Sequence, residues 1–201
     1  MRYFPIFTLS LATSTLIAAE RMNVSVCNMG RIGDSLIAQA ETEAANAFRA
    51  VGIEVVWAKC GDEVGAQASD SESRFVIRLR SDRPPEAWGP VSLDAMGRAY
   101  VLAPGEGRIA DVFFKAVREY SDQNSVDLRG LLGYVIVHEI GHLLLGPGHS
   151  SRGIMHSPWR GPDRMALERR WLKFTSAQQA EIVRKLRSIN QEQADPVQLG
   201  K

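Results

Sequence analysis

The four histidines of this 201-residue chain all lie between positions 138 and 156, and the first two belong to the sequence His138-Glu139-Ile140-Gly141-His142. Residues four apart lie on one face of a helix, so both imidazoles can bind a single metal ion. Glu139 lies one position further round, where its carboxylate can take a proton from a bound water. This spacing predicts a zinc site with a general base beside it.

The sequence around this motif predicts a long, buried helix over residues 126–145. An apolar run, residues 131–137, comes directly before the motif. Ser125 is a suitable N-cap, and Gly146 follows the expected last residue. Imidazole and carboxylate groups are costly inside an apolar helix unless they have a partner or a function. We therefore interpret the motif as functional and not as a set of ordinary core histidines.

Beyond the helix, the chain contains a glycine, a third histidine and a methionine in close succession. With H-E-x-x-H they resemble the metzincin clan of zinc endopeptidases, whose pattern is H-E-x-x-H-x-x-G-x-x-H followed by a methionine turn. The stretch H-E-I-G-H-L-L-L-G, followed by H-S and G-I-M, is similar to small exported bacterial metzincin-like proteins of unknown substrate. Carried over by position, the resemblance implies zinc ligands His138, His142 and His149, general base Glu139, turn glycine Gly146 and, beneath the metal, Met155.

The chain departs from the clan pattern in the spacing before the turn glycine, and it also has Ser157 where some members have a tyrosine. Three leucines, where the pattern has two residues, separate His142 from Gly146. One additional helical residue turns the chain exit by about 100° and advances it by about 1.5 Å. We expect His149 to remain the third ligand, because the glycines on either side of Pro147 can absorb this change. The alternatives are His156 and, less favoured, a carboxylate from Glu168 or Glu181.

The resemblance implies a zinc-dependent endopeptidase that hydrolyses a peptide bond with a zinc-activated water, Glu139 acting as general base. The alternative is a catalytically inactive zinc-binding scaffold that serves as an exported binding module. Arg160, Arg164, Arg169, Arg170 and Lys173 form a basic stretch near the site. This stretch fits either a solvated helix face or an acidic-substrate site. The expected partner is a peptide or protein substrate.

The remaining sequence, together with the resemblance, predicts an α+β, zincin-like (metzincin) domain with a mixed twisted sheet, a long active-site helix and a C-terminal helix. A strand–helix–strand unit at the start implies two parallel strands joined by a right-handed crossover. The expected strands are residues 23–27, 53–57, 74–80, 99–102 and 109–114. The expected helices are a first one capped by Asp34 or Ser35, a short one over 115–120, the long helix, and a last one from the capping box at Thr175 to about Ser188.

Cys27 and Cys60 each lie at the end of an expected strand. If these strands are parallel neighbours, their ends meet at one edge of the sheet, at a spacing that a disulfide can bridge. Two cysteines in an exported chain are typically paired in this way. We therefore predict a Cys27–Cys60 disulfide.

The first 19 residues have the basic start, apolar stretch and small final residues of a secretory signal. A membrane anchor is the alternative, since the apolar stretch is near the minimum length for a span. We expect a domain over residues 20–190, a flexible tail over 191–201, and a secreted or periplasmic location without stable membrane insertion after cleavage. The formal net charge of +1 gives no indication of nucleic-acid binding. We expect a monomer.

Overall fold

The computed structural model describes residues 19–60, 74–83, 95–101 and 106–194. Within them the chain forms a five-stranded mixed sheet in the order β2-β1-β3-β5-β4, with only β4 antiparallel to its neighbour. The strands are β1 (Glu20–Asn28), β2 (Ile53–Lys59), β3 (Arg74–Arg80), β4 (Gly97–Tyr100) and β5 (Ile109–Phe113). The helices are α1 (Asp34–Arg49), α2 (Phe114–Asn124), α3 (Leu128–Leu145), α4 (Pro162–Glu168) and α5 (Ser176–Ala194). The predicted α+β class with a mixed sheet is confirmed.

The hydrophobic core lies between one face of the sheet and the helices α1 and α3. Alternate residues of β1, such as Met22 and Val24, are fully buried, as are Phe75 and Ile77 of β3, because successive side chains of a strand point to opposite faces. Helices α1 and α3 pack very closely. A Cβ atom added at Gly133 would lie 2.7 Å from both the Ala40 carbonyl oxygen and the Glu43 Cβ atom.

The predicted disulfide is present between Cys27 and Cys60, whose Cα atoms are 4.8 Å apart. The strands β1 and β2 are parallel neighbours, and the register pairs Val26 with Lys59, one residue before each cysteine. The Cys60 N–H also donates to the Val26 carbonyl oxygen at 3.1 Å. A disulfide of this kind is typical of an oxidising compartment such as the extracellular space or the periplasm.

Several element boundaries differ from the sequence prediction. Ser125 is not the N-cap of the long helix, because α2 extends to Asn124 and Ser125 ends it in a left-handed conformation with φ of 54°. Asp127 caps α3 instead, its side chain accepting a hydrogen bond from the Gly130 N–H. The strand β4 begins at Gly97, two residues before the predicted start, and Leu102 lies outside the described residues.

The predictions for the last helix and for the cap of the first helix have mixed outcomes. The capping box is confirmed, since the Thr175 N–H donates to Gln178 Oε1 and the Gln178 N–H donates to Thr175 Oγ1. The last helix, however, continues to Ala194, beyond the predicted end at Ser188. Neither Asp34 nor Ser35 caps α1. Gly33 holds the N-cap position without a side-chain hydrogen bond.

Helix α3 is long and apolar enough to cross a membrane by length and composition, but 83% of it is buried inside the domain. Its apolar surface is thus accounted for by packing within the protein, as in a core helix. Residues 1–18 and 195–201 lie outside the described residues. The secretory signal and the flexible tail therefore stay predictions.

Candidate metal centre

Helix α3 carries the predicted motif through the centre of the domain. Residues 130–144 are all buried, including His138, Glu139 and His142. Their positions follow from the helical repeat, because the two imidazoles are one turn apart and Glu139 projects to one side of them. The helix therefore fixes three of the predicted site residues in a rigid element.

Three imidazoles converge at the C-terminal end of α3. The Nε2 atom of His142 lies 3.0 Å from that of His138 and 3.2 Å from that of His149. Zinc–nitrogen bonds of 2.0–2.1 Å at tetrahedral angles place two ligand atoms about 3.3 Å apart. These two separations are close to that value, and the ligand atoms of all three residues lie within 4.8 Å of one another, so the three residues form a group that could hold a metal.

Backbone carbonyl groups hold two of the imidazoles in the form that a metal requires. The Nδ1 atom of His138 is 2.7 Å from the Ile154 carbonyl oxygen, and that of His142 is 2.9 Å from the Gly146 carbonyl oxygen. A carbonyl oxygen can only accept, so Nδ1 carries the proton and Nε2 keeps its lone pair. Lone pairs facing one another at these distances repel unless a cation lies between them. The donor set therefore fits a bound zinc ion.

Burial also favours neutral imidazoles at this site. It lowers the pKa of His138 to about 3, with smaller contributions from His142 and His149. Burial likewise lowers the pKa of His142 and of His149. Metal ligands must be unprotonated, so the three groups are already in the required state.

The additional residue before Gly146 is accommodated by the helix itself. Helix α3 continues through the three leucines, and Gly146 ends it with φ of 98°, a left-handed value that favours glycine. The chain then returns through Pro147 and brings His149 to the other two imidazoles. The turn at Gly146 is thus as predicted, and its carbonyl group additionally orients His142.

The alternative third ligands lie elsewhere. His156 directs its Nδ1 atom to Asp163 Oδ2 at 2.7 Å and is not part of the three-histidine group. Glu181 forms an ion pair with Arg184, and Glu168 does not join the group either. Among the described residues, His149 is therefore the third imidazole of the cluster.

Met155 and Trp159 pack against the centre. Met155 is buried, and a Cβ atom added at Gly141 would overlap its Sδ atom, so the methionine lies directly against the motif helix. The Trp159 ring makes an edge contact with the His138 ring, with centroids 5.6 Å apart. Its Nε1–H donates to the Ile154 carbonyl oxygen, which also accepts from His138. Trp159 therefore both packs near the methionine turn and lines the adjoining cleft.

Glu139 lies between the imidazoles and the edge strand β4. A Cβ atom at Gly97 would overlap its carboxyl group, and the Ala99 N–H donates a hydrogen bond to it. Burial raises the pKa of Glu139 to about 8, against the lowering effect of that hydrogen bond. The absence of a side chain at Gly97 therefore makes room for the carboxyl group beside the metal centre.

A cleft of about 820 Å³ opens over the side chains of Glu139 and the three histidines of the cluster. The edge strand β4 forms one wall. The other wall consists of α2 and the segment between the methionine turn and α4. Two hydrogen bonds join the parts of this second wall, from Tyr120 Oη to the Trp159 carbonyl oxygen and from Arg164 Nη1 to Asn124 Oδ1. Sequence reasoning missed Tyr120 and Asn124, and the helical spacing of these residues on α2 was the one available signal.

Comparison with known proteins supports the fold. No protein-family model and no curated protein match the sequence. Among solved structures, archaemetzincin from Methanopyrus kandleri is similar over 84% of this chain and 97% of its own, with a TM-score of 0.51 and 17% identity. Metalloproteinase-II from Bacteroides fragilis matches over 87% of this chain and 55% of its own, with a TM-score of 0.49 and 13% identity. The predicted metzincin-like architecture is thus confirmed at the level of the fold, with a three-histidine group at its centre.

Proposed function

We propose that the chain is a zinc-dependent endopeptidase. One observation carries the proposal: three Nε2 atoms converge next to a buried glutamate at the base of an open cleft. Three nitrogen ligands leave the fourth tetrahedral position free, as in catalytic zinc sites, whereas structural sites use four protein ligands. A glutamate directly beside that position favours hydrolysis over simple metal storage.

His138, His142 and His149 would hold the zinc ion. When bound, zinc supplies a Lewis acid that polarises the substrate carbonyl group and lowers the pKa of water. Glu139, whose carboxyl group a bound zinc ion would favour in the ionised form, would accept the proton of the attacking water and deliver it to the nitrogen of the leaving amine. The Ala99 N–H keeps the Glu139 carboxyl group oriented during this transfer.

The position of β4 supports a peptide as substrate. The strand lies at the edge of the sheet and lines the cleft, so one side of its backbone is not paired within the sheet. An extended peptide can pair with such an edge through main-chain hydrogen bonds, largely independently of its side chains. The scissile bond would then lie over the imidazoles and next to Glu139.

The proposal is tested with purified protein that has been loaded with zinc, using a broad library of internally quenched peptides. Wild-type protein should cleave some of these peptides, and Glu139→Gln should lower kcat by about 10²- to 10⁴-fold while zinc affinity is retained. Glu119→Gln is the matched control, since Glu119 lines the same cleft but is not beside the imidazoles. Full activity of Glu139→Gln would exclude this mechanism. A zinc-loaded wild-type protein that cleaves nothing would instead favour the inactive scaffold.

We further propose that the protein is exported. The secretory pattern of the first 19 residues and the Cys27–Cys60 disulfide support a secreted or periplasmic location. N-terminal sequencing of the protein from its producing cell should find Glu20 as the first residue. A mature protein that keeps residues 1–19 would favour the membrane anchor.

A further inference from the structure

One part of the cleft is lined by α2 and by the segment that runs from the methionine turn into α4. Val135, one turn before the motif, and Trp159, against the His138 ring, also line the cleft. The Tyr120 hydroxyl joins the two walls there by donating to the Trp159 carbonyl oxygen. Arg164 lies along the same wall and joins it to Asn124. We call this space the Arg164 arm.

The orientation of Arg164 is fixed by a neutral partner. Its Nη1–H donates to Asn124 Oδ1 at 2.6 Å, while Asn124 Nδ2–H donates to the Tyr120 carbonyl oxygen at 2.9 Å. The second bond holds the Asn124 amide so that its oxygen faces the guanidinium group. Arg164 is half-buried and forms no ion pair with an acidic side chain in the described part of the chain.

The charged side chains that line the cleft as a whole are predominantly positive. Arg83, Arg98, Arg160 and Arg164 line the cleft, and the acidic residues that line it are Glu119 and Glu139. Glu119 is exposed on α2, and Glu139 is held at β4. The carboxylate of the neighbouring Asp163 is bonded to His156. Within the described ranges, the Arg164 guanidinium therefore has donors to spare and no carboxylate partner, and it lines the same cleft as the proposed site of hydrolysis.

We propose that Arg164 binds a substrate carboxylate next to the scissile bond, so that the chain prefers acidic peptides. This inference rests on the proposed peptidase function. A guanidinium group binds a carboxylate through two parallel hydrogen bonds, and a hydrogen bond between charged groups is about twice as strong as one between neutral groups. The carboxylate can belong to an aspartate or glutamate side chain or to the C-terminus of a short peptide.

The first experiment compares peptides that differ only in this charge. In zinc-loaded wild-type protein, kcat/KM should be about 10- to 100-fold higher for Asp or Glu than for Asn or Gln at one position beside the cleaved bond. A parallel pair with a free or an amidated C-terminus identifies the second source of carboxylate. Arg164→Gln should lower the ratio of kcat/KM between acidic and amide peptides to about one.

The matched control is Arg169→Gln, because Arg169 belongs to the same basic stretch but is exposed, stacks on Trp171 and does not line the cleft. It should keep the full preference for acidic peptides. Arg164→Lys retains the charge but cannot form two parallel hydrogen bonds, so this variant should keep part of the preference for acidic peptides. Thermal unfolding and zinc affinity of each variant establish that the fold and the metal centre are intact.

A binding experiment separates this inference from the proposed function. In a Glu139→Gln background, a fluorescent acidic peptide should bind about 10-fold or more tightly than its amide analogue, and Arg164→Gln should remove the difference. If wild-type protein cleaves peptides without an acidic preference, the inference is wrong while the peptidase function stands. If nothing is cleaved but the binding difference depends on Arg164, the peptidase function fails and the carboxylate site stands. Equal binding of acidic and amide peptides overturns the inference in either case.

Discussion

Arg164 and Arg170 lie close together in the sequence and are both half-buried, but their partners differ. Arg170 binds two carboxylates, Glu43 through Nε at 2.9 Å and Asp127 through Nη2 at 2.7 Å. Among the described residues, the side-chain partner of Arg164 is the neutral Asn124 amide. The charge of Arg170 is thus fully used in joining α1 to the start of α3, whereas that of Arg164 is available to a ligand.

The two ends of α3 show a similar contrast between residues that join helices and residues that face the cleft. At the N-terminal end, Asp127 caps the helix and Gly133 packs directly on α1. At the C-terminal end, three unprotonated imidazoles and a buried glutamate face a cleft. We infer that the first end contributes stability and the second end contributes chemistry, and each of the following predictions tests that division.

The largest effect is expected at the C-terminal end. His149→Ala should lower zinc affinity by more than about 100-fold, because changing even an outer partner of a metal ligand costs about 10- to 100-fold. His156→Ala should leave zinc affinity nearly unchanged, since His156 bonds Asp163 instead. Competition with a chromophoric chelator measures both values. Loss of zinc in His156→Ala alone would transfer the third ligand to His156.

The two arginines should differ in unfolding free energy. Arg170→Gln removes the partner of two carboxylates and should cost about 1–3 kcal/mol, less than a fully buried pair because about a third of the side chain is exposed. Arg164→Gln should change the value by less than about 0.5 kcal/mol. Urea denaturation of the metal-free proteins gives both numbers. Equal losses would contradict the division between a structural and a ligand-binding arginine.

A smaller effect is expected from glycine substitutions on α3. Gly133→Ala forces a methyl group against the backbone of α1 and should cost about 1 kcal/mol, after the gain of about 1 kcal/mol in helix propensity is included. Gly141→Ala meets the flexible end of Met155, so it should change stability less and zinc affinity more. Calorimetric unfolding and zinc titration of both variants measure this contrast. A more stable Gly133→Ala protein would show that the helices can separate.

The smallest effect concerns the charge of Asp127. Burial raises its pKa, but hydrogen bonds from Arg129, the Gly130 N–H and Arg170 outweigh burial and hold the pKa below 3.8. A lowered pKa stabilises the fold above pH 3.8, and this contribution is lost as the pH falls through the folded-state value.

Asp127→Asn should therefore be slightly less stable than wild type at neutral pH, and the two proteins should converge in acid. Asparagine caps a helix as well as aspartate does, so the substitution changes the charge and keeps the cap. Urea unfolding at several pH values tests this, with Asp122→Asn on the exposed surface of α2 as control. A gap that persists at low pH would assign the loss to the cap geometry.

The parts of the site that were predictable depend on short-range regularities. The spacing of His138 and His142 on a helix is fixed by the helical repeat, and the disulfide follows from two parallel strands that end together. Ser125 was wrongly assigned as a cap because the length of α2 depends on its packing and not on a local signal. The choice between His149 and His156 needed the path of the loop.

The partners of the basic stretch could not be predicted from sequence. Arg170 and Glu43 are far apart in the chain, and so are Arg164 and Asn124. Such pairs depend on how the helices pack against one another, and this packing cannot be inferred from amino-acid composition. A run of basic residues that looks uniform in sequence thus separates into Arg170, which joins two helices, Arg160 and Arg164, which line the cleft, and a solvent-exposed remainder.

Gly146 has a consequence for how the three-histidine motif can vary during evolution. Its positive φ ends the helix, and its carbonyl oxygen accepts a hydrogen bond from the Nδ1–H of the His142 ring. A helix that gains one residue therefore retains an oriented second ligand, provided that glycine still ends it and the return loop is pliant enough to deliver His149. An insertion at this point can therefore be tolerated, because the spacing between the second histidine and the glycine can change while the three nitrogen ligands stay together.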